Sequence, residues 1–446
     1  MRHLLVVAYH FPPAGGVPVR RVLRLLRHLP EHGWRCSVLT AQRPYDPFHP
    51  EDPGELTQLP PVECVLRPPA RAGPERTAAA GYRLLAGLAR RLGRGRLGRG
   101  SATASGGLRR RLNDGWFFPD PKRWWVSGAV REGRALFSRD PFDGVLATGY
   151  PWSAFLVARG IRAATGCPMA LDYRDDWTGN PRRLWSTPRH LALERSLLRS
   201  SQLVTAATDG IRQALRARAG TGVPVETVTS GWDPAELPEP DPRLAGAPRL
   251  VLTYTGSFND ALPPSGADQS PYSLLQAVTR LGAPLRGSLR VRLVGRIPAS
   301  YRRWIREQGL SELVEVEGPV THRRALQHQL AADWLWLYVG DAPGTAGILT
   351  GKLVEYAGAR RPVLALAPEE SEAARAVGRH GLGRVVPPGD VAAIAAALER
   401  CIEEYLRSGR PPDLPPSEPL SASRQVERWA ALLHEAVAQP GSKPTS

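Results

Sequence analysis

Cysteine is scarce in this 446-residue chain. The four present, Cys36, Cys64, Cys167 and Cys401, form no C-x-x-C pair, and no His/Cys cluster has zinc spacing. That excludes a disulfide scaffold and a structural-zinc fold; free thiols in a reducing cytosol are the simplest reading. No apolar run approaches the roughly 18–20 residues a helical membrane span needs. Residues 1–7 are too short and too strand-like for a signal peptide. The first βαβ loop, with Gly15-Gly16, is not G-x-G-x-x-G, which disfavours a dinucleotide site there. No Ser/His/Asp set and no glycosidase-type carboxylate pair is present. Asp175-Asp176 is not a recognisable cation site, so no metal is expected. Negative charge is also short: 42 Asp and Glu face 59 Lys and Arg, a net charge of +17. The excess points to an anionic partner, whether membrane surface, nucleic acid or phosphorylated substrate. The wealth of arginine, alanine, glycine and proline also reflects genomic base composition.

What is present reads as two α/β halves. The length exceeds one ordinary core. A short aliphatic run at 4–8 predicts a buried parallel strand. Gly15-Gly16 follows, then a helix at 18–29 with Val22, Leu25, Leu26 and Leu29 at helical spacing, then a strand at 34–40. A Gly pair at a helix start lets a ligand approach the backbone closely. Further strands are expected at 144–147, 168–172, 203–206 and 225–229, with helices at 126–137, 153–165, 188–200 and 209–219 between them. The strand at 168–172 runs into LDYRDDWTGNP. Ligands of open α/β sheets lie at strand carboxyl ends, so Arg174, Asp175 and Trp177 are expected at a cleft. The alternative is a structural ion pairing of Asp172, Arg174 and Asp175. Residues 232–248 hold five prolines and are the best domain boundary.

A new strand–helix series begins at 250–254 and closes on Gly256-Ser257. Strands at 289–294, 313–317 and 334–339 follow, the first ending in Gly295-Arg296. Thr321 is expected to cap a helix running to 330. The stretch GTAGILTGKLVEYAGARRPVLA, residues 344–365, is the most informative. Thr350 can cap a helix at 351–359, Pro362 stops it, and 363–366 is a strand. First-turn N–H groups and the helix dipole favour phosphate there. Lys352 adds charge, and Glu355 shares its face. The bland alternative is a solvated Lys–Glu pair on an ordinary turn.

Between Arg67 and Asp114 stand twelve arginines against Glu75 and Asp114. Tyr82, Leu84, Leu85, Leu88 and Leu92 form a helical stripe among Arg83, Arg90, Arg91 and Arg94. A basic amphipathic helix suits an anionic membrane; a solvated insertion loop is the alternative. RNA is disfavoured because interleaved stacking aromatics are missing.

YHFPPAGGVPVRRVLRLLRHLPEHGWRCSVLT resembles the opening of a retaining, family-four-type glycosyltransferase. The Gly-Gly loop, the following arginine, and the closing Leu-Pro and Gly-Trp are in register. The resemblance covers most of the chain apart from about 42–115, and GKLVEY is its other specific part. It implies the GT-B fold: two Rossmann-like doubly wound parallel sheets facing a central cleft. The implied domains are an acceptor-side domain 1–240 with the insertion, a nucleotide-sugar domain 241–415, and a terminal helix and tail 416–446 crossing back to the first domain. The implied donor contacts are Gly15, Gly16, Arg20, Gly256, Ser257, Gly295, Arg296, Thr350, Gly351, Lys352, Leu353 and Glu355, with Val320 at the nucleobase strand end. Lys352 would meet the diphosphate charge, and Glu355 the ribose.

The chain departs from the family in three places. Arg174-Asp175 stands where many relatives carry a histidine near the sugar; Asp175 is the leading candidate for the acceptor's base, beside Arg174. The Arg and Lys that follow the 250–254 strand in many relatives are missing. The acidic residue eight before Glu355 is Gly347. The implied function is transfer of a sugar from a nucleotide-diphosphate sugar to a glycan or lipid-linked acceptor, without metal or other cofactor, in the cytoplasm or at the inner membrane face. The alternative is a catalytically impaired GT-B-like scaffold of a polysaccharide assembly complex.

Overall fold

The computed structural model describes residues 1–42, 51–69, 118–180, 186–220, 222–244, 248–260, 270–341, 347, 349–409 and 413–438. The expected basic amphipathic helix, the tail beyond 438 and most of the 259–271 loop lie outside the described residues. The chain divides into two compact units. The first comprises Met1–Ala206, Ala214–Glu226 and Ala430–Ser446; the second comprises Ala207–Gln213 and Thr227–Trp429.

In chain order, the first half holds β1 (Arg2–Val7), α1 (Val17–His28), β2 (Trp34–Leu39), β3 (Val65–Leu66), α2 (Val126–Arg139), β4 (Gly144–Gly149), α3 (Ser153–Thr165), β5 (Met169–Tyr173), α4 (Pro188–Arg199), β6 (Leu203–Ala206), α5 (Asp209–Ala219) and β7 (Val225–Thr227). The sheet order is β3-β2-β1-β4-β5-β6-β7. β1 pairs in parallel with both β2 and β4, so the order reverses beside it. The aliphatic run of β1 is buried as expected of a strand covered on both faces. Beside β5, Trp177 stacks on Trp152 at 5.0 Å and is buried with Phe155 and Tyr173. The expectation that Trp177 faces a ligand is therefore corrected: its large apolar surface belongs to the core.

The second half holds β8 (Leu250–Thr255), α6 (Tyr272–Arg280), α7 (Ala283–Gly287), β9 (Leu289–Val294), α8 (Ala299–Glu307), β10 (Val314–Glu317), α9 (His322–Leu330), β11 (Trp334–Tyr338), α10 (Gly351–Ala359), β12 (Val363–Leu366), α11 (Glu372–Arg379), β13 (Gly383–Val386), α12 (Val391–Ser408) and α13 (Ala422–Ala438). The sheet order is β10-β9-β8-β11-β12-β13. β11 shows why this sheet needs helices on both faces. Trp334, Trp336 and Tyr338 join one buried cluster, with helices α6, α8 and α12. Leu335 and Leu337 join the opposite one, with α10 and α11. Thr321 caps α9 through Arg324 N, as its sequence position predicts.

The expected boundary at 240/241 falls inside the second unit. Trp232 is buried against Leu353 and Tyr356, and its indole N–H donates to Ser417 O at 3.1 Å. The proline-rich segment is pinned as well. Arg324 Nη1 holds Asp241 at 2.7 Å, and Arg292 Nη1 donates to Leu244 O at 3.1 Å.

Glu194 on α4 is fully buried in the first unit. Desolvation pushes its carboxyl up to about 7, although Arg218 and the Thr178 hydroxyl both pull it down. In the unfolded chain it titrates near 4.3. Between about pH 4.5 and 7 the folded state keeps a proton that the unfolded state has released. This stabilising term is complete below the unfolded value and is lost as pH rises through the folded one. A shift of this size is worth about 3 kcal/mol. Wild type should therefore lose about 2–3 kcal/mol relative to Glu194→Gln between pH 5 and 8 in urea unfolding. Parallel pH profiles would show that Glu194 does not carry this linkage.

Candidate functional site

The sharpest constellation gathers where the order of the second sheet reverses, at the carboxyl ends of β8 and β11. In open α/β sheets this is where ligands bind. β8 ends in Thr255, and Gly256 follows at φ +146; β9 is followed by Gly295 at φ +126. Both positions need glycine for conformation and for space. A Cβ on Gly295 would sit 2.0 Å from Gly256 O, and one on Gly256 would sit 2.5 Å from Lys352 Cε. The two loops thus touch, and the Lys352 side chain lies against Gly256. Phe258 N donates to Arg296 O at 3.1 Å, which fastens the loops further. The Arg296 side chain is exposed, and Val320, between β10 and α9, is half-buried.

α10 supplies the charges. Lys352 Nζ donates to Tyr254 Oη at 2.9 Å and lies 4.7 Å from the centre of the same ring. Tyr254 stacks on Phe258 at 4.2 Å and donates to Ser257 O at 3.3 Å. Burial lowers the Lys352 pKa from its ordinary value, against the pull of Tyr356 and Glu355. Tyr356, one turn along, accepts from Thr255 N at 3.3 Å and donates to Trp336 O at 3.2 Å. Burial pushes its phenol up to about 12. Tyr356 therefore stays neutral and fixes α10 to the end of β8 and the middle of β11.

Glu355 is held from α9. His322 Nε2 lies 3.2 Å from Oε1, and Gln329 Nε2 donates to Oε2 at 3.3 Å. Gln329 Nε2 also reaches Thr255 Oγ1 at 2.9 Å. Sequence reasoning passed over His322 and Gln329. Their i, i+7 spacing in a foreseen helix was the available signal, since it sets both on one face.

Thr350 takes the N-cap position of α10, but its hydroxyl makes no cap bond. Thr350 Oγ1 is buried without a partner. Its expected capping role is corrected: the hydroxyl stands at the helix start beside Gly351. Leu353 is corrected too. Its side chain is core, and its N–H already donates to Thr350 O at 3.0 Å. Gly347 O accepts from Thr208 Oγ1 at 3.1 Å. A Cβ at Gly347 would meet only Gly210 Cα, at 4.0 Å, so crowding does not dictate the missing acid.

The first unit carries the other expected residues. Gly16, at φ 104, precedes α1, and its carbonyl accepts from Val19 N and Arg20 N; Gly15 is buried beside it. Arg20 is buried against Glu55 at 3.4 Å, so its charge is balanced. Arg174 donates through Nε to Gly149 O at 2.7 Å and through Nη2 to Tyr150 O. Burial pushes its pKa down to about 10, so it remains a cation at neutral pH and braces the β4 loop. Asp175 is exposed beside it. The structural pairing foreseen for Asp172 exists, but with Arg21 rather than Arg174. Among the described residues no group of three His, Cys, Asp or Glu side chains is placed to hold a metal ion. No described helix is long and apolar enough to cross a membrane.

No protein-family profile matches the chain. No curated protein matches it by sequence. Solved structures do. Anabaena HepE, determined with UDP and glucose, aligns over 98% of this chain and 100% of its own, at 15% identity and TM-score 0.61. Sucrose-phosphate synthase from Thermosynechococcus elongatus aligns over 98% and 97%, at 16% identity and TM-score 0.59. A UDP-GlcNAc 2-epimerase from Neisseria meningitidis, bound to UDP-GlcNAc, aligns over 97% and 100%, at 12% identity and TM-score 0.54. Likeness at this level of identity speaks for the fold. With a 7-stranded and a 6-stranded parallel sheet, each flanked by helices, the chain has the two-domain, Rossmann-like GT-B fold.

Proposed function

We propose that this chain is a glycosyltransferase that moves a sugar from a nucleotide-diphosphate sugar to a glycan or lipid-linked acceptor. The observation that carries the reading is the convergence of Lys352, Glu355 and the α10 start at the reversal point of the second sheet. Breaking a sugar–phosphate bond leaves an oxocarbenium-like centre and a diphosphate of higher charge. Preorganised donors at that diphosphate are the largest lever available to a protein. Lys352 and the Gly351 and Lys352 N–H groups that open α10 supply them without the missing Arg–Lys pair. The Thr350 hydroxyl adds a donor that the fold leaves unspent. Glu355 takes the ribose hydroxyls and so sets the register of the sugar. A retaining outcome, independence of metal, Asp175 as base toward the acceptor, and attachment at the inner membrane face belong to the same proposal. The +17 net charge favours that surface. HepE, described with UDP and glucose, supports a nucleotide-sugar donor by likeness of fold.

The test is thermal melting of the full chain with a panel of UDP-, GDP- and ADP-sugars, followed by assay of nucleotide release. A ligand at a hundred times its dissociation constant stabilises by about 2.7 kcal/mol, an easily read shift. No shift and no release with any donor overturns the reading. Gly347 favours a second one, a GT-B-like scaffold, because a side chain would fit there and none is present. Nucleotide-sugar binding without turnover on any acceptor supports that alternative.

A further inference from the structure

We infer that Tyr254 is the positioning residue for Lys352, its hydroxyl fixing the ammonium where a departing diphosphate would meet it. The inference rests on the donor reading above and deepens it.

The chain writes almost every cation as arginine. Lysine occurs three times, as Lys122, Lys352 and Lys443, so the lysine at 352 does not follow from composition. Its four-carbon stem is flexible and its charge is a compact point. Such a charge serves one spot only if something holds it there. Among the described residues Lys352 makes one side-chain hydrogen bond, from Nζ to Tyr254 Oη at 2.9 Å. Glu355, on the same helix face, pairs with His322 instead. An ammonium has three N–H donors, so two are left for a ligand. A neutral hydroxyl holds the cation without cancelling its charge, as a carboxylate partner would.

Tyr254 suits this task because its ring is clamped. It is fully buried, stacked on Phe258 at 4.2 Å and tilted against Trp336 at 5.1 Å. Its own proton goes to Ser257 O at 3.3 Å, which turns a lone pair toward Lys352. Burial pushes the phenol up, so it stays neutral. Among these aromatic neighbours a phenylalanine would pack as well, so packing alone does not call for the hydroxyl. The other titratable groups acting on the amine are Tyr356 and Glu355 of its own helix, with His322 of α9 meeting Glu355.

The test uses Tyr254→Phe, which keeps the ring and removes the acceptor. Full-length wild type and variant are acetylated with acetic anhydride over a range of pH, and Lys352 is followed by mass spectrometry. With three lysines in the chain, the modified site is read directly. Only the neutral amine reacts. Losing the hydroxyl removes a partner of the charged form, so Lys352 of the variant should react at lower pH than that of wild type. Steady-state kinetics on the nucleotide sugar found by melting give a second readout. The kcat of Tyr254→Phe should fall about ten- to a hundredfold, the scale of a hydrogen bond to a charged group, with KM nearly unchanged. In a Lys352→Ala background the same change should cost no more than about twofold. An unmoved labelling profile, or losses that add in the double variant, would leave Tyr254 a packing residue and overturn the inference while the donor reading stands. Labelling decides alone should the protein bind a donor without turning it over. A wild type that neither binds nor releases any nucleotide overturns both.

Discussion

Asp172→Ala is expected to destabilise the first unit by about 3–5 kcal/mol, the cost of stranding one partner of a buried ion pair. Asp172 lies in β5 with no solvent exposure. Arg21 of α1 meets it with both Nε, at 3.0 Å, and Nη2, at 2.7 Å. Thr148 of β4 and Thr205 of β6 each donate a hydroxyl at 2.9 Å. Four donors fill the acceptor capacity of one carboxylate. Alanine would take the carboxylate away from a buried guanidinium and from two buried hydroxyls. It would also sever the link that ties three neighbouring strands to α1. Removing both charges, as Arg21→Met with Asp172→Leu, should cost clearly less, because neither ion is left behind. The measurement is urea unfolding followed by tryptophan fluorescence, read as a midpoint shift at constant slope. A loss below about 1 kcal/mol, or a double variant as unstable as the single one, would mean that the network does not hold the sheet to the helix.

The second large effect is on rate. Lys352→Ala should lower kcat by about a hundred- to a thousandfold, equivalent to about 2.7–4 kcal/mol of lost electrostatic stabilisation. KM should change little if the charge acts mainly as the diphosphate departs. Lys352→Arg should not rescue. The lysine tail already lies where a Gly256 Cβ would clash, and its amine fits against the Tyr254 hydroxyl. A planar guanidinium needs more room and a different approach. The pH profile carries a further sign. Burial favours the neutral amine, so its folded pKa lies below the ordinary 10.4 or so. Activity per free enzyme should therefore fall on the alkaline side earlier than an exposed lysine would allow. Steady-state kinetics across pH on the donor found by melting would check both points. Activity within a few-fold of wild type in Lys352→Ala would remove the residue from the charge role.

How far the sequence reached is best seen in single residues. Lys352 and Glu355 could be paired from sequence because one helical turn brings i and i+3 together whatever surrounds them. The helix that carries them was foreseen with the bounds it has, Gly351–Ala359, between a Gly-rich start and Pro362. The same local logic located β12 and α9. It missed β3, two residues long in a proline-rich stretch, and α11 with β13, whose small residues and glycines give weak periodicity. Asp172 shows the limit. Its nearest basic neighbour in sequence is Arg174, but its partner is Arg21, 151 positions away. Sequence distance says nothing about which side chain crosses a strand order of β1-β4-β5 to meet it.

Two kinds of information are therefore separable. Hydrophobic periodicity, breakers and short-range spacing are properties of neighbouring residues, and they determined the α/β class, most elements and the Lys352–Glu355 pair from the chain alone. Strand order, the closure of Gly295 onto Gly256, the grip of His322 and Gln329 on Glu355, and the burial that shifts Lys352 and Glu194 were decided only by the tertiary structure. Each depends on which distant segments share a sheet edge or a helix face, and on the loss of water that follows when they meet.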